Sequence, residues 1–346
     1  MSMSNMQMGL AAAGGLVLVI MVAHSAWSSR KNLPRQASPD APNTEPQMGD
    51  NFEPGLDAAS FDLANFPLPV PEKKPLLDAL IDVIASIALE GPVSGEAALA
   101  AMPTTRRVGS KPFSIEGFNE AVKHWELPQA GQRYTAFQAG VQLANRSGAL
   151  SEIEFSEFVI KTQAFCDAIN GTPDFPEMRE QVARARELDQ FAGDHDAQLG
   201  FVLRARNAAW SPGYVQQNAA RFGFVPGVIP GRMVVHARLP GMPPVLTLSF
   251  DAQAAQADDP ALSAIREIAV NLDVAQVERS ERAFERMCET ALSLTSTMDG
   301  VITDDNGTPL PQEALDVIGA ELDQLYNTLE RRDLSAGSAL ARRLFS

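Results

Sequence analysis

Two cysteines in 346 residues, Cys166 and Cys288, leave no room for a disulfide framework, and each lies in an apolar stretch where a reduced, buried thiol is expected. Positive charge is also short. Against 43 Asp and Glu stand 28 Lys and Arg, for a net charge of −15, which argues against nucleic acid as a partner because phosphate binding requires a positive surface. The same balance argues against a polybasic hold on anionic lipid. Histidine is scarce too: His24, His124, His195 and His236 lie far apart, with no cysteine or carboxylate at metal-ligand spacing. Neither cysteine has a basic neighbour to lower its pKa. Asp304 and Asp305 precede an Asn-Gly turn and lack the further ligands of a calcium loop. Phosphate-loop, dinucleotide-binding and nucleophile-elbow motifs are missing as well. No metal, no cofactor and no enzymatic activity are therefore expected, which leaves a binding protein.

What the chain does have is a charge-free run of twenty residues, Met8 to Trp27. At 1.5 Å per residue it spans the roughly 30 Å hydrocarbon core of a bilayer as a helix. A cleaved signal needs a basic start, and Met1 to Gln7 holds no Lys or Arg. The charges follow the run instead, at Arg30, Lys31 and Arg35. This places the amino terminus outside and the body in the cytoplasm. Gly14-Gly15 would admit self-association through helix pairing, but the small-xxx-small spacing that favours it is missing. Residues 28–75, rich in Pro, Asp, Asn and Ser without helical or strand period, read as a disordered linker with a reach of roughly 40 Å. Phe61, Phe66 and Leu68 are either a short docking motif or isolated apolar residues in a coil.

Folded structure is expected from residue 76. LIDVIASIALEG (Leu80 to Gly91) reads as a strand and SGEAALAAM (Ser94 to Met102) as a capped helix. KPFSIEGF (Lys111 to Phe118) and YTAFQAGVQLA (Tyr134 to Ala144) alternate as paired antiparallel strands around a loop at His124 and Trp125. EIEFSEFVIKTQAF (Glu152 to Phe165) is ambiguous, with a strand preferred at Phe158 to Thr162. Met178, Val182, Ala185, Leu188 and Phe191 recur at helical spacing. A second series follows: a strand at Ala197 to Arg206, a helix at Ser211 to Phe224, a hairpin across Gly241 to Pro244, and a strand at Ile265 to Val274. Then come a helix at Glu281 to Gly300 with Gly300 as its C′ residue, a short strand, and a helix at Leu315 to Leu329. The order strand, helix, three strands, helix, strand thus occurs twice, over residues 76–206 and 198–330, with 331–346 as a polar, basic tail. Helices on one side of an antiparallel sheet make an α+β class whose other face is open.

FERMCETALSLTSTMDGVITDDNGTPLPQEALDVIGAELDQL (Phe284 to Leu325) resembles the end of the carboxy-terminal domain of the ZipA family, membrane anchors of the division protein FtsZ. LEGPVSGEAALAAM (Leu89 to Met102) and VQLANRSGALSEIEF (Val141 to Phe155) resemble two further stretches of that domain. The resemblance implies a ZipA-like antiparallel sheet with helices on one face, here duplicated. It implies a shallow apolar groove on the solvent face that takes the FtsZ carboxy-terminal tail, and a single-pass location in a bacterial inner membrane. Carried over by motif, the groove in the second copy comprises Met233 and Val235, then Phe250 and Ala252, then Ala269 and Asn271. In the first copy it comprises Phe113 and Ile115, then Gln142, Ala144 and Arg146. Asn271 departs from the family, which has a large aromatic there. On this reading Phe113→Asp or Met233→Asp weakens tail binding without unfolding the domain. The competing reading is a membrane-anchored scaffold that binds another division protein, its groove for FtsZ lost. A one-residue slip in any strand exchanges groove for core.

Overall fold

The computed structural model describes residues 34–37, 77–257, 259, 263–304 and 307–346. The membrane-spanning helix expected at 8–27 and most of the expected linker lie outside the described residues. Among the described residues no helix is long and apolar enough to cross a membrane. The chain is mixed α+β, with antiparallel sheets and packed helices. It divides into two compact units. The first contains the described residues up to Asp196 from residue 77, together with Ser338–Ser346; the second contains 34–37 and Ala197–Gly337.

The first unit opens with β1 (Asp82–Ser94) and α1 (Gly95–Ala101), where the Ser94 hydroxyl accepts from the Ala97 N–H. Strands β2 (Arg107–Val108), β3 (Lys111–Asn119), β4 (His124–Glu126) and β5 (Arg133–Gln142) follow, with a small ribbon of β6 (Ala144–Asn145) and β7 (Gly148–Ala149). The expected loop at His124 and Trp125 is strand β4, paired with β3. The sheet order is β2-β3-β5-β1-β8, closed at the edge by β8 (Gly171–Asp174).

Between the ribbon and β8 runs α2 (Glu152–Ile169), a full helix where a strand was expected at Phe158 to Thr162. Two local facts decide for helix. Phe155, Phe158, Thr162, Phe165 and Ile169 are buried at helical spacing. A capping box starts the helix: the Ser151 hydroxyl accepts from the Glu154 N–H at 3.2 Å, and the Glu154 carboxylate accepts from the Ser151 N–H at 2.9 Å. Ser151→Ala is expected to cost about 1 kcal/mol, read as a lowered denaturation midpoint of the first unit with an unchanged slope. Helix α3 (Met178–His195) packs beside α2, burying Val182, Ala185, Leu188 and Phe191 as expected.

The second unit repeats the wiring. Strand β9 (Gln198–Ala205) leads to α4 (Pro212–Ala220), then β10 (Val225–Pro226), β11 (Arg232–Val235) and β12 (Leu246–Ser249). A single turn, α5 (Ala252–Ala255), precedes β13 (Glu267–Asp273), α6 (Ala283–Met298), β14 (Gly300–Thr303) and α7 (Gln312–Glu330). The sheet order is β10-β11-β12-β13-β9-β14, so β12-β13-β9-β14 repeats β3-β5-β1-β8 in both order and antiparallel sense. Asp299, not Gly300, takes the left-handed conformation that ends α6 (φ 56°); Gly300 already belongs to β14. Core side chains from the sheet, Phe201, Leu203, Ile268, Val270 and Leu272, lie against the α6 stripe of Phe284, Met287, Ala291 and Leu294.

Parts of the segments read as linker and tail are folded. Arg35, in the expected linker, forms a parallel bridge with Trp210, and its guanidinium pairs with Asp299 at 3.0 Å. The expected tail carries α8 (Ala339–Leu344), whose Ala341 and Leu344 are buried in the first unit.

Candidate peptide-binding face

A sheet covered by helices on one side has a second face, and strand register decides which residues reach it. In the second unit β13 pairs on both sides, so its alternation is fixed twice. Ile268, Val270 and Leu272 are buried in the core, while Ala269 and Asn271 fall on the opposite face. Asn271 lies opposite Gly200 of β9 and Thr247 of β12; Ala269 lies opposite Val202 and Ser249. Val234 of β11 extends the Thr247 row, and Arg232 extends the Ser249 row. Gly200 contributes no side chain, which leaves a low floor. A trough of about 670 Å³ sits there, floored by Gly200, Thr247, Ser249 and Asn271 and walled by Pro243 and Pro244.

Ala269 and Asn271 therefore lie on the open face. Met233 and Val235 do not. They are buried because Met233 is opposite Leu248 and Val235 opposite Leu246, and those leucines are core. A shift by one residue exchanges the faces of β11, putting Arg232 and Val234 outward. Phe250 lies past the end of β12, and Ala252 begins α5 on the surface, so neither is part of the open face. The outward residues Gly200, Thr247, Ser249, Arg232 and Val234 were missed from sequence. The alternation of Leu246 and Leu248 with Thr247 and Ser249 is the signal that finds them.

The first unit's equivalent face is covered in part by its own chain. Its outward rows include Ser114, Gly140 and Ile84, and Glu116, Gln138 and Ser86. Leu77, 4% exposed, sits on Gly140, where a Cβ would come within 2.5 Å of its side chain. The Leu77 N–H donates to Glu116 Oε1 at 3.0 Å, and Glu116 Oε2 accepts from Gln138 at 2.6 Å. At the far end of the face the Arg343 guanidinium donates to the fully buried Asp82 carboxylate. Gln142 donates to the Arg343 and Ala144 carbonyls.

The first-unit groove residues are corrected accordingly. Phe113 and Ile115 point into the core, with Phe113 and Phe158 rings 6.0 Å apart. Gln142 and Ala144 are buried, Gln142 bonded to the carboxy-terminal segment. Arg146 is on the β6–β7 turn, away from the main sheet, and pairs with Asp196 at 2.7 and 2.8 Å.

The titratable groups follow from burial. Lys111 is buried, its ammonium donating to Ser110 Oγ at 2.7 Å and Asn145 Oδ1 at 3.0 Å. Desolvation pushes its pKa down against the pull of Glu154 and Asp189. Ser110 Oγ is also 3.0 Å from Glu154, so these side chains knot the β2–β3 turn to the start of α2. Burial lifts the thiols of Cys166 and Cys288 to about 11, which keeps them protonated at neutral pH. Among the described residues no group of three or more His, Cys, Asp or Glu is placed to hold a metal ion.

No protein-family model matches this chain, and no curated protein matches it. Among solved structures, berberine bridge enzyme from Eschscholzia californica aligns over 76% of this chain at 8% identity with a TM-score of 0.16. The alignment spans about half of that protein, 53% of its length. A likeness at that level carries no argument about fold or activity.

Proposed function

We propose that this chain is a membrane-anchored adaptor whose second unit binds a peptide segment of a protein partner in the trough over its open sheet face. The partner that the sequence resemblance points to is the FtsZ carboxy-terminal tail, which would hold division filaments to the inner membrane. The observation that carries this reading is the contrast between the two open faces. One is covered over Gly140 and Asp82 by Leu77 and the carboxy-terminal segment; the other presents a trough lined by Asn271, a position that the resemblance assigns to the groove, with Ala269 on the same face. Of the two repeats, the second is thus the one that binds.

The competing reading, a scaffold for a different partner, is favoured by one observation. The trough is lined by Gln198, Thr247, Ser249, Asn271 and Asp273, whereas the resemblance implies a shallow apolar groove. Titration of the full chain with a labelled FtsZ tail peptide separates the two. Saturable binding near the micromolar range is expected, and Asn271→Arg, which fills the trough from a half-buried surface position, is expected to weaken it at least about tenfold. Absence of binding by the folded chain would overturn the FtsZ reading in favour of the scaffold.

A further inference from the structure

The hairpin between β10 and β11 carries an apolar tip in full solvent. Val228 is 103% exposed, Ile229 56% and Val225 41%, and Pro226 and Pro230 are exposed beside them. The tip is held rigidly. The Gly227 N–H donates to the Arg232 carbonyl at 2.8 Å, the Arg232 N–H donates to the Ile229 carbonyl at 3.1 Å, and Gly231 takes φ +73°. Beside it stand Arg221, which caps α4, and Arg232; both are exposed, and neither forms an ion pair with a described residue. The chain as a whole is acidic, yet residues 197–250 contain five arginines (204, 206, 221, 232 and 238) and no Asp or Glu. The next acid in the sequence, Asp251, accepts from the Gln253 N–H as the cap of α5.

The register of the second sheet places this tip at a particular end. Arg232 begins β11 opposite Ser249 at the end of β12, and Ser249 is opposite Ala269 near the start of β13. At that same end, beyond the start of β13, Ile265 pairs with Trp210, and Trp210 pairs with Arg35. The segment 34–37 is thus docked at the end of the sheet that carries the hairpin tip, while Asn271 and Asp273 of the trough lie toward the other end of β13. Only six residues, 28–33, separate Pro34 from the end of the charge-free run at Trp27. Fully extended they reach about 20–22 Å.

We propose that the second unit lies directly on an anionic bilayer, with Val228 and Ile229 inserted at the headgroup boundary, Arg221 and Arg232 against lipid phosphates, Arg232 at the membrane-side end of the trough, and the Asn271 and Asp273 end of the trough turned toward the cytoplasm. The inference rests on anchoring through residues 8–27 and not on which peptide fills the trough. It shortens the tether of the second unit from the linker expected over residues 28–75 to residues 28–33. A rigid apolar tip with flanking arginines is the chemistry of an interfacial anchor, and a tether of this length holds it at its target.

The test uses the full chain with Ile229→Trp, incubated with vesicles of phosphatidylcholine and phosphatidylglycerol containing brominated acyl chains. Emission is compared with that of the parent chain, which already has Trp27, Trp125 and Trp210. The added tryptophan is expected to be blue-shifted and quenched, with the quenching reduced at least about threefold by Arg221→Glu with Arg232→Glu and abolished by adding Val228→Asp. Val228 makes no buried contact, so folding is not at stake in that variant. No added quenching overturns the proposal. Extraction of the same vesicles with alkaline carbonate then reports separately whether the chain is anchored, so failure of the hairpin and failure of the anchor are told apart.

Discussion

Phe113→Asp is expected to abolish cooperative folding of the first unit, and Met233→Asp to do the same in the second. Phe113 is 4% exposed with its ring against Phe158, and Met233 is 2% exposed opposite Leu248. Losing the buried Phe113 ring costs about 3–5 kcal/mol, and leaving a carboxylate without a partner in the same place costs several more. Together these match the roughly 5–15 kcal/mol that holds a whole domain. Limited proteolysis and a thermal melt decide the matter. A sequence reading that puts both residues on the binding face expects a folded protein with weakened affinity; their burial in the core implies an unfolded unit. A folded Phe113→Asp chain would mean that β3 carries the opposite face outward.

Arg343→Ala has the second largest expected effect, about 3–5 kcal/mol at pH 7, because it strands a buried charge. Asp82 is fully buried and accepts hydrogen bonds from both Arg343 Nη atoms and from the Asp78 N–H at 2.8 Å. Desolvation pushes the Asp82 pKa above the usual carboxylate range even against the neighbouring guanidinium. In the interval between the unfolded and the raised folded pKa the folded state binds more protons, so this carboxyl weakens stability as pH rises through that interval. Removing Arg343 raises the folded pKa further. The penalty of the variant is therefore expected to be larger at pH 7 than at pH 5, shrinking on acidification as Asp82 takes up a proton in the folded state. Urea melts at pH 7 and pH 5 measure it, and a small or pH-independent penalty would contradict this account. Asp82→Leu with Arg343→Met is expected to recover most of the loss, since an apolar pair requires no compensation.

Much of this architecture is legible in the residues. The stripe on α3 and the stripe on α6 each point to one buried face, and the alternation through β5 and β13 marks both as strands. Helix α2 is harder because Phe158, Val159, Ile160 and Thr162 favour a strand by propensity, and helix wins through the Ser151–Glu154 box and the apolar spacing of Phe155 to Ile169. The faces are harder still. Phe113 and Ile115 alternate with Ser114 and Glu116, which tells that one side is apolar but not whether helices or a ligand cover it. For β11 the answer lies in its pairing with β12, a non-local fact. Helix α8 is too short for its own pattern to be informative, and its place depends on Asp82, more than 250 residues away in sequence.

The return of residues 338–346 to the first unit bears on how the protein is born. A ribosome delivers β1 to α3 early, yet Asp82 and Gln142 have no cap until the entire second unit has been made. During that interval the nascent first unit carries an unpaired acid and an uncovered sheet face, and is open to a chaperone or to a neighbouring nascent chain. The second unit has no such wait: once residue 337 has emerged, all of its described segments, 34–37 included, are outside the tunnel. Emergence of residues 338–346, not completion of the first sheet, therefore sets the moment at which the first unit gains its full stability. An excised fragment covering 77–196 would remain arrested at that earlier stage.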